Sequence, residues 1–110
     1  MPFVSDLNGI VNQSIDQAIS NVLSKQVMQA FYLHLRTRHS MDRDEIPYRL
    51  ETFFSVLENE FGIAAAGTLS RAIARTLYSR LSLTFEDRPS YSLSNYVEEA
   101  KRRVETNPDP

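Results

Sequence analysis

The sequence predicts an all-α fold: a single domain at residues 1–105, built as a compact bundle of about five helices, with a frayed tail at 106–110. Apolar residues recur at three- and four-residue spacing along five segments, which is the period of an amphipathic helix. No stretch longer than three or four residues alternates apolar and polar side chains as a strand does. A chain of 110 residues that is 42% hydrophobic can form one domain with one modest core.

The first predicted helix follows Asp6, whose side chain can cap its N-terminus. Its apolar side chains share one face: Leu7, Ile10, Val11, Ile15, Ala18, Ile19 and Val22. This stripe spans about four turns, which is long for the core that the other helices offer, so we expect it to form a homodimer face. The residues of that face are Leu7, Val11, Ile15 and Ile19. The alternative is that the helix folds back over helices two and five within the monomer.

Ser24 is a good N-cap for a second helix that runs to about Arg38. Its predicted core face is formed by Val27, Met28, Phe31, Tyr32 and Leu35, with Leu33 extending it. Residues 37–45 are polar and charged, as is typical of a loop. The acids at 42, 44 and 45 lack the glycine and the distant glutamate of a calcium-binding EF-hand loop. Acids just before a helix favour its N-terminal dipole, and we expect this local role.

Pro47 marks the first turn of the third predicted helix, and Gly62 ends that helix in a left-handed cap. One face of the helix carries Leu50, Phe53, Phe54, Leu57 and Phe61. A fourth helix, at about 64–81, has its apolar stripe at Leu69, Ile73, Thr76, Leu77 and Leu81. Its small residues at 64–67 either allow a close helix approach or are simply compatible with a helix. We expect helices two, three and four to form the central core.

The C-terminal third begins with a short extended piece at 83–85 and a loop at 86–90. Ser92 then caps a last helix, whose apolar residues are Leu93, Tyr96, Val97, Ala100 and Val104. On its outer face, Glu98 precedes Arg102 and Glu99 precedes Arg103 by four residues, which is the favourable order for ion pairs along a helix.

Several classes of protein are disfavoured by the composition. The chain has no cysteine, which removes disulfide frameworks, thiol catalysis and the usual zinc sites. His34 and His39 are five residues apart, so we expect them on different helical faces. With three glycines and no phosphate-binding loop, we expect no enzyme, no catalytic residue, no cofactor and no metal. The one cluster that could serve an enzyme is either histidine with the acids at 42–45.

The N-terminus and the hydropathy profile bear on location. No run approaches the ~18 consecutive apolar residues of a membrane span, and residues 1–9 lack the basic region and apolar stretch of a signal peptide. We therefore expect a cytoplasmic protein with no membrane partner.

Ten of the twelve basic residues are arginines, although the net charge is −2. Arg36 and Arg38 end helix two, and Arg71 and Arg75 lie four apart on helix four, opposite its apolar stripe. Such a basic patch could bind nucleic-acid phosphates. An isoelectric point of about 5.6 favours the alternative, in which these arginines are solvated or pair with the glutamates of helix three.

The aromatic residues that we expect to be exposed are more numerous than a core of this size needs to hide completely. They are Phe3, Tyr48, Tyr78, Phe85, Tyr91 and Tyr96. Tyrosine and arginine dominate the centres of protein–protein interfaces. The pattern therefore predicts a protein partner or a second copy of the chain, although ordinary packing at the edge of the core would produce the same pattern.

A series of core and capping residues keeps a distinctive order along residues 10–103. The series consists of VMQAFYLHL at 27–35, EIP at 45–47, Phe53, Leu57, FG at 61–62, LYSRL at 77–81, LTF at 83–85 and YSLSNYVEEAKRR at 91–103. In this order the passages resemble a family of small archaeal domains, the Nitrososphaera output domain. The resemblance implies an all-helical output module of signalling proteins, sometimes standing alone, with no catalytic motif.

Together these observations predict a non-catalytic interaction, adaptor or signalling-output domain that acts through a protein–protein surface. The alternative is a nucleic-acid-binding protein that uses the arginine patch on helices two and four.

Overall fold

The part of the chain that the structure describes contains five α-helices and one 3₁₀ helix. This computed structural model describes the main chain of residues 3–106 and the side chains of residues 7–104. The α-helices are α1 (Phe3–Val22), α2 (Lys25–His39), α3 (Leu50–Phe61), α4 (Ile63–Arg80) and α5 (Leu93–Thr106), and the 3₁₀ helix is Arg43–Tyr48. The all-α prediction is confirmed. A Cα radius of gyration of 13.7 Å is close to the roughly 13 Å of a single domain of this size.

The packing of α1 against α4 lies at the centre of the bundle. α1 turns its apolar stripe inward, and the four side chains predicted as a dimer face are at most 1% exposed: Leu7, Val11, Ile15 and Ile19. The prediction of a dimer face on this stripe is therefore wrong, because the stripe is already covered within a single chain. The alternative is correct in kind, since α1 folds back within the monomer, but its main neighbour is α4 rather than α2 or α5.

α2 contributes less to the core than its sequence predicts. Phe31 and Leu35 are its two buried side chains, whereas Val27 and Leu33 are 42% and 57% exposed. Phe31 reaches the core and meets the ring of Phe53 edge-on, at a centroid distance of 5.9 Å. The prediction that helices two, three and four form the central core is thus wrong for α2, because α1 occupies the place beside α4.

The start of α3 also differs from the prediction. Pro47 lies inside the 3₁₀ helix, where it is buried together with Ile46, and α3 itself begins at Leu50. The main-chain N–H of Asp42 donates to Oε1 of Glu45 over 3.1 Å, which caps the 3₁₀ helix. The acidic loop therefore has a local role at a helix start, in agreement with the sequence.

Gly62 alone separates α3 from α4. Its φ of +92° and ψ of 162° lie in a region that only glycine enters without strain. Its N–H donates to the Glu58 carbonyl at 2.8 Å, and its own carbonyl accepts from the Ala66 N–H at 2.9 Å. The predicted helix stop at Gly62 is confirmed, but the left-handed cap is wrong, because a ψ of 162° lies far from the value near +47° of that conformation. The small residues that follow do not bring another helix close to Gly67, because a Cβ added there would meet no atom within 4 Å.

The ends of the outer helices define the remaining boundaries. Ser92 Oγ accepts from the Asn95 N–H at 3.2 Å, which confirms the predicted cap of α5. α5 runs to Thr106, one residue past the predicted domain boundary, and the rest of the predicted tail, at 107–110, lies outside the described residues. Asp6 does not cap α1, because that helix already begins at Phe3.

Candidate interaction surface

Arg36 and Arg38, the α2 half of the predicted basic patch, lie at the exposed C-terminal end of that helix. The Arg36 side chain is 72% exposed and forms an ion pair of 3.5 Å with Asp42, in the connection to the 3₁₀ helix. Because both partners are solvated, this pair stabilises the fold little. Its acidic partner neutralises Arg36 locally and reduces its value as a phosphate contact.

Arg71 and Arg75, the α4 half, lie on the exposed face of that helix. The Arg75 guanidinium lies over the ring of Phe85, 5.6 Å from the centroid. Among the described residues, neither arginine forms an ion pair with Glu58 or Glu60, the pairing considered from the sequence. Arginines do not pair with one another, and among the described residues no acidic side chain or aromatic ring bridges the α2 half and the α4 half.

Asp16 of α1, Tyr32 of α2 and Arg43 of the 3₁₀ helix form one hydrogen-bonded cluster. The Tyr32 hydroxyl donates to Asp16 Oδ1 over 2.5 Å, and Arg43 forms an ion pair with the same carboxylate. The Arg43 guanidinium also lies over the Tyr32 ring, 5.2 Å from its centroid, in a cation–π arrangement. Burial raises the pKa of Tyr32 to about 12. The cluster thus holds a tyrosine and an arginine in fixed positions near the surface.

Two surface grooves share Tyr32 and Arg43 in their walls. The first, with a volume of about 600 Å³, is here called the Arg80 groove, and its walls include Gln13, Gln17, Met28, Tyr32, Arg43 and Arg80. The second, of about 590 Å³, is called the Leu33 groove, and its walls include Tyr32, Leu33, Arg36, Met41, Asp42 and Arg43. The ordered cluster is therefore accessible from both grooves.

Arg80 lies in the last turn of α4 and reaches across to α1. Its Nη1 donates to Oε1 of Gln13 over 3.2 Å, and its Nη2 donates to Oε1 of Gln17. A cation is favoured at the C-terminal end of a helix, which contributes to its placement. Within the described part of the chain Arg80 contacts no carboxylate, so its charge is held in place without being neutralised.

His34 and His39 lie side by side, with ring centroids 5.3 Å apart. The prediction that their spacing separates them is wrong, because α2 continues through His39 and the two rings are in contact. His34 Nε2 lies 3.1 Å from Glu60 Oε2 of α3. No hydrogen bond or ion pair among the described residues joins either histidine to the acids at 42–45, so the hypothetical catalytic cluster is not assembled.

The predicted exposed aromatics divide into three groups. Tyr48 is 73% exposed, as predicted, whereas Tyr78 and Tyr96 are buried, at 2% and 3%. Phe85 and Tyr91 are partly buried and pack against the core. The side chain of Phe3 lies outside the described residues. The prediction of a largely exposed set is wrong for the two buried tyrosines, because the segment before α5 folds over them.

Glu99 of α5 fastens the segment that precedes its own helix. Its Oε1 accepts from the Tyr91 hydroxyl at 2.6 Å, and its Oε2 lies 2.5 Å from Arg103, as its i,i+4 spacing predicts. The Tyr91 hydrogen bond, with Arg103 and Arg88 nearby, holds the pKa of Glu99 below its usual value. The Glu99 hydrogen bond raises the pKa of Tyr91 in turn. This cluster has a structural role, since it ties the chain to α5.

Two kinds of feature are absent from residues 3–106. None of the helices there combines the length and the apolar character that crossing a membrane requires. Among the side chains of residues 7–104, no group of three or more histidines, aspartates or glutamates could hold a metal ion.

The cluster around Arg43 and the contacts of Arg80 are the features that reasoning from the sequence missed. The only local signal was the polar face of the first helix, which carries Gln13, Asp16 and Gln17. Arg80 lies 63 residues beyond Gln17 along the chain, and periodicity does not report contacts at that separation.

Comparison of the chain with protein-family models, with curated proteins and with solved structures found no match. The resemblance to the Nitrososphaera output domain therefore stays a prediction.

Proposed function

We propose that this chain is a non-catalytic interaction domain that binds a protein partner through the surface around Tyr32 and Arg43. One observation carries the proposal: two grooves share an ordered tyrosine–arginine pair, and exposed Leu33 lies in the wall of one of them. Tyrosine and arginine are the residue types most enriched at the energetic centres of interfaces.

The order of this surface before binding supports the proposal. Asp16 bonds both Tyr32 and Arg43, so a partner need not immobilise these two side chains. Ordering a flexible side chain on binding costs about 0.5–1.5 kcal/mol, and this cost is largely avoided here. Leu33, 57% exposed, and the partly buried Met28 supply apolar contact beside the polar cluster.

The biological setting belongs to the same proposal. The family resemblance supports a signalling-output role in an archaeal cell. The absence of cysteine supports a cytoplasmic location, since cysteine-rich disulfide frameworks are typical of small secreted domains.

Affinity capture from native extract, followed by binding measurements on the recombinant partner, tests this function. Leu33→Asp places a charge in the groove wall, and we expect partner affinity to fall by about tenfold or more. Ile63→Asp is the matched control, because Ile63 is an exposed apolar residue, at 77%, at the start of α4. The proposal would be contradicted if wild type and Leu33→Asp bound the partner equally well, or if Leu33→Asp and Ile63→Asp lost the same amount of affinity.

A second candidate is nucleic-acid binding through the arginine patch. The observation that favours it is the exposed position of Arg71, which contacts no acidic side chain among the described residues. A fluorescence titration with duplex DNA and with RNA at low salt discriminates the two functions. Binding at micromolar affinity that weakens with a log–log salt slope of about −0.9 per neutralised phosphate, and is lost in Arg71→Gln, would support the second candidate.

A further inference from the structure

The two arginines of the Arg80 groove differ in how their charges are balanced. Arg43 is neutralised by the carboxylate of Asp16. Arg80 is instead held by the neutral amide oxygens of Gln13 and Gln17. Arg43, Asp16 and Arg80 together give the groove one excess positive charge. That charge, on Arg80, has no acidic partner in the described part of the chain. A cation fixed in this way is ready to bind an anion, because no existing ion pair has to be broken.

The hydrogen-bond donors around Arg80 are available to such an anion. A guanidinium has five N–H donors, and only two of those on Arg80 bond to described residues. Gln13 and Gln17 accept through Oε1, so their Nε2 groups remain donors, and neither makes a hydrogen bond within the described part. A carboxylate matches the planar, bidentate geometry of an arginine edge.

The rest of the groove favours a peptide over a polyanion. Its walls include the apolar side chain of Met28, the ring of Tyr32 and the amide of Gln29, which suit a peptide's side chains and main chain. Nucleic acids are bound through several phosphate contacts at once, whereas this groove offers a single unbalanced cation.

We infer that the partner docks an acidic segment in the Arg80 groove, with one Asp or Glu carboxylate bound by Arg80. The inference rests on the proposed interaction function and adds the chemistry of the partner. Gln13 and Gln17 position the guanidinium, and Met28 and Tyr32 contact a neighbouring apolar side chain of the segment.

An NMR titration with short capped peptides tests the inference. The probe is acetyl-Glu-Leu-Glu-amide, and acetyl-Gln-Leu-Gln-amide is the neutral control of the same shape. We expect the acidic peptide to shift the side-chain amide resonances of Gln13 and Gln17, and the neutral peptide to leave them unchanged. Arg80→Gln should lower the affinity for the acidic peptide by about tenfold or more. Arg102→Gln, an exposed arginine on α5 away from this groove, should bind it like wild type.

Three results would overturn the inference. The first is that the acidic peptide causes no chemical-shift change. The second is that Arg80→Gln and Arg102→Gln lose affinity for the acidic peptide equally. The third is that inorganic phosphate or a single-stranded oligonucleotide shifts the same resonances and binds more tightly than the peptide. The partner assay with Leu33→Asp keeps the two proposals separate. If Leu33→Asp loses the partner while Arg80→Gln retains it and the acidic peptide does not bind, the interaction function stands and the acidic-segment inference fails.

Discussion

The hydroxyl of Tyr78 in α4 donates a hydrogen bond of 2.9 Å to the main-chain oxygen of Tyr96 in α5. Both side chains are buried, so water cannot replace the bond if the hydroxyl is removed. We expect Tyr78→Phe to lower the free energy of unfolding by about 0.5–1.5 kcal/mol, the usual value of one buried hydrogen bond. Urea unfolding followed by circular dichroism measures the change. Tyr48→Phe, at an exposed tyrosine, is the control, and an equal or larger loss there would contradict this assignment.

The two glycines flanking the start of α4 should respond oppositely to alanine. Gly62→Ala forces an L-residue to φ +92°, and we expect a loss of about 1–3 kcal/mol in the free energy of unfolding. Gly67→Ala lies in the helix with room for the methyl group, and we expect a gain of about 0.5–1 kcal/mol. Thermal and urea unfolding of the two variants would show the opposite signs. Changes of the same sign would mean that one backbone conformation is wrong.

Ile15→Asp tests the position of the α1 stripe. Ile15 is 0% exposed within one chain. The substitution removes a buried aliphatic side chain, whose truncation alone costs ~2–5 kcal/mol of stability, and it also buries an unpaired carboxylate. We expect a largely unfolded protein by circular dichroism, whereas Val22→Asp, at an exposed position of the same helix, should remain folded.

Light scattering completes the test of that stripe. A wild-type mass near 12.6 kDa would exclude the homodimer under the conditions used, and twice that mass would require an interface elsewhere on the surface. If the wild type were a dimer and Ile15→Asp a folded monomer, the result would instead support the dimer face that the sequence predicts on α1.

Glu99 should make stability depend on pH in the acid range. Its folded-state pKa is lowered, chiefly by the Tyr91 hydrogen bond, from an ordinary value of 4.5. The stabilisation is therefore fully present above the ordinary pKa and is lost as the pH falls through the lowered one. We expect Glu99→Gln to destabilise the protein at neutral pH, and the difference in stability from wild type to shrink as the pH falls below 4.5 and through the lowered pKa.

The matched variant for this pH dependence is Tyr91→Phe. Tyr91→Phe removes the same hydrogen bond by deleting its donor. The double variant should therefore lose less free energy of unfolding than the sum of the losses of the two single variants. Urea unfolding across the acid range measures all four proteins. A pH-independent gap for Glu99→Gln would contradict the role of its charge.

The sequence by itself determined the fold class and most helix boundaries. The N-cap of α2 is formed as predicted, with the Val27 N–H donating to Ser24 Oγ over 3.2 Å, and the stop at Gly62 and the cap at Ser92 lie where expected. Such features are local: a cap involves residues within one turn of each other, and a helical stripe reflects the period of one segment. They can therefore be inferred without knowledge of the rest of the chain.

Only the tertiary structure decided which helix covers which stripe and which polar side chains meet. An apolar stripe shows that a surface must be buried, but hydrophobic attraction is non-directional and does not specify the neighbour. For that reason α1 was expected to dimerise, and α2, whose Leu33 is exposed, was expected at the centre. The contacts of Arg80 with Gln13 and Gln17 likewise exist only because α4 packs on α1 and brings distant segments together.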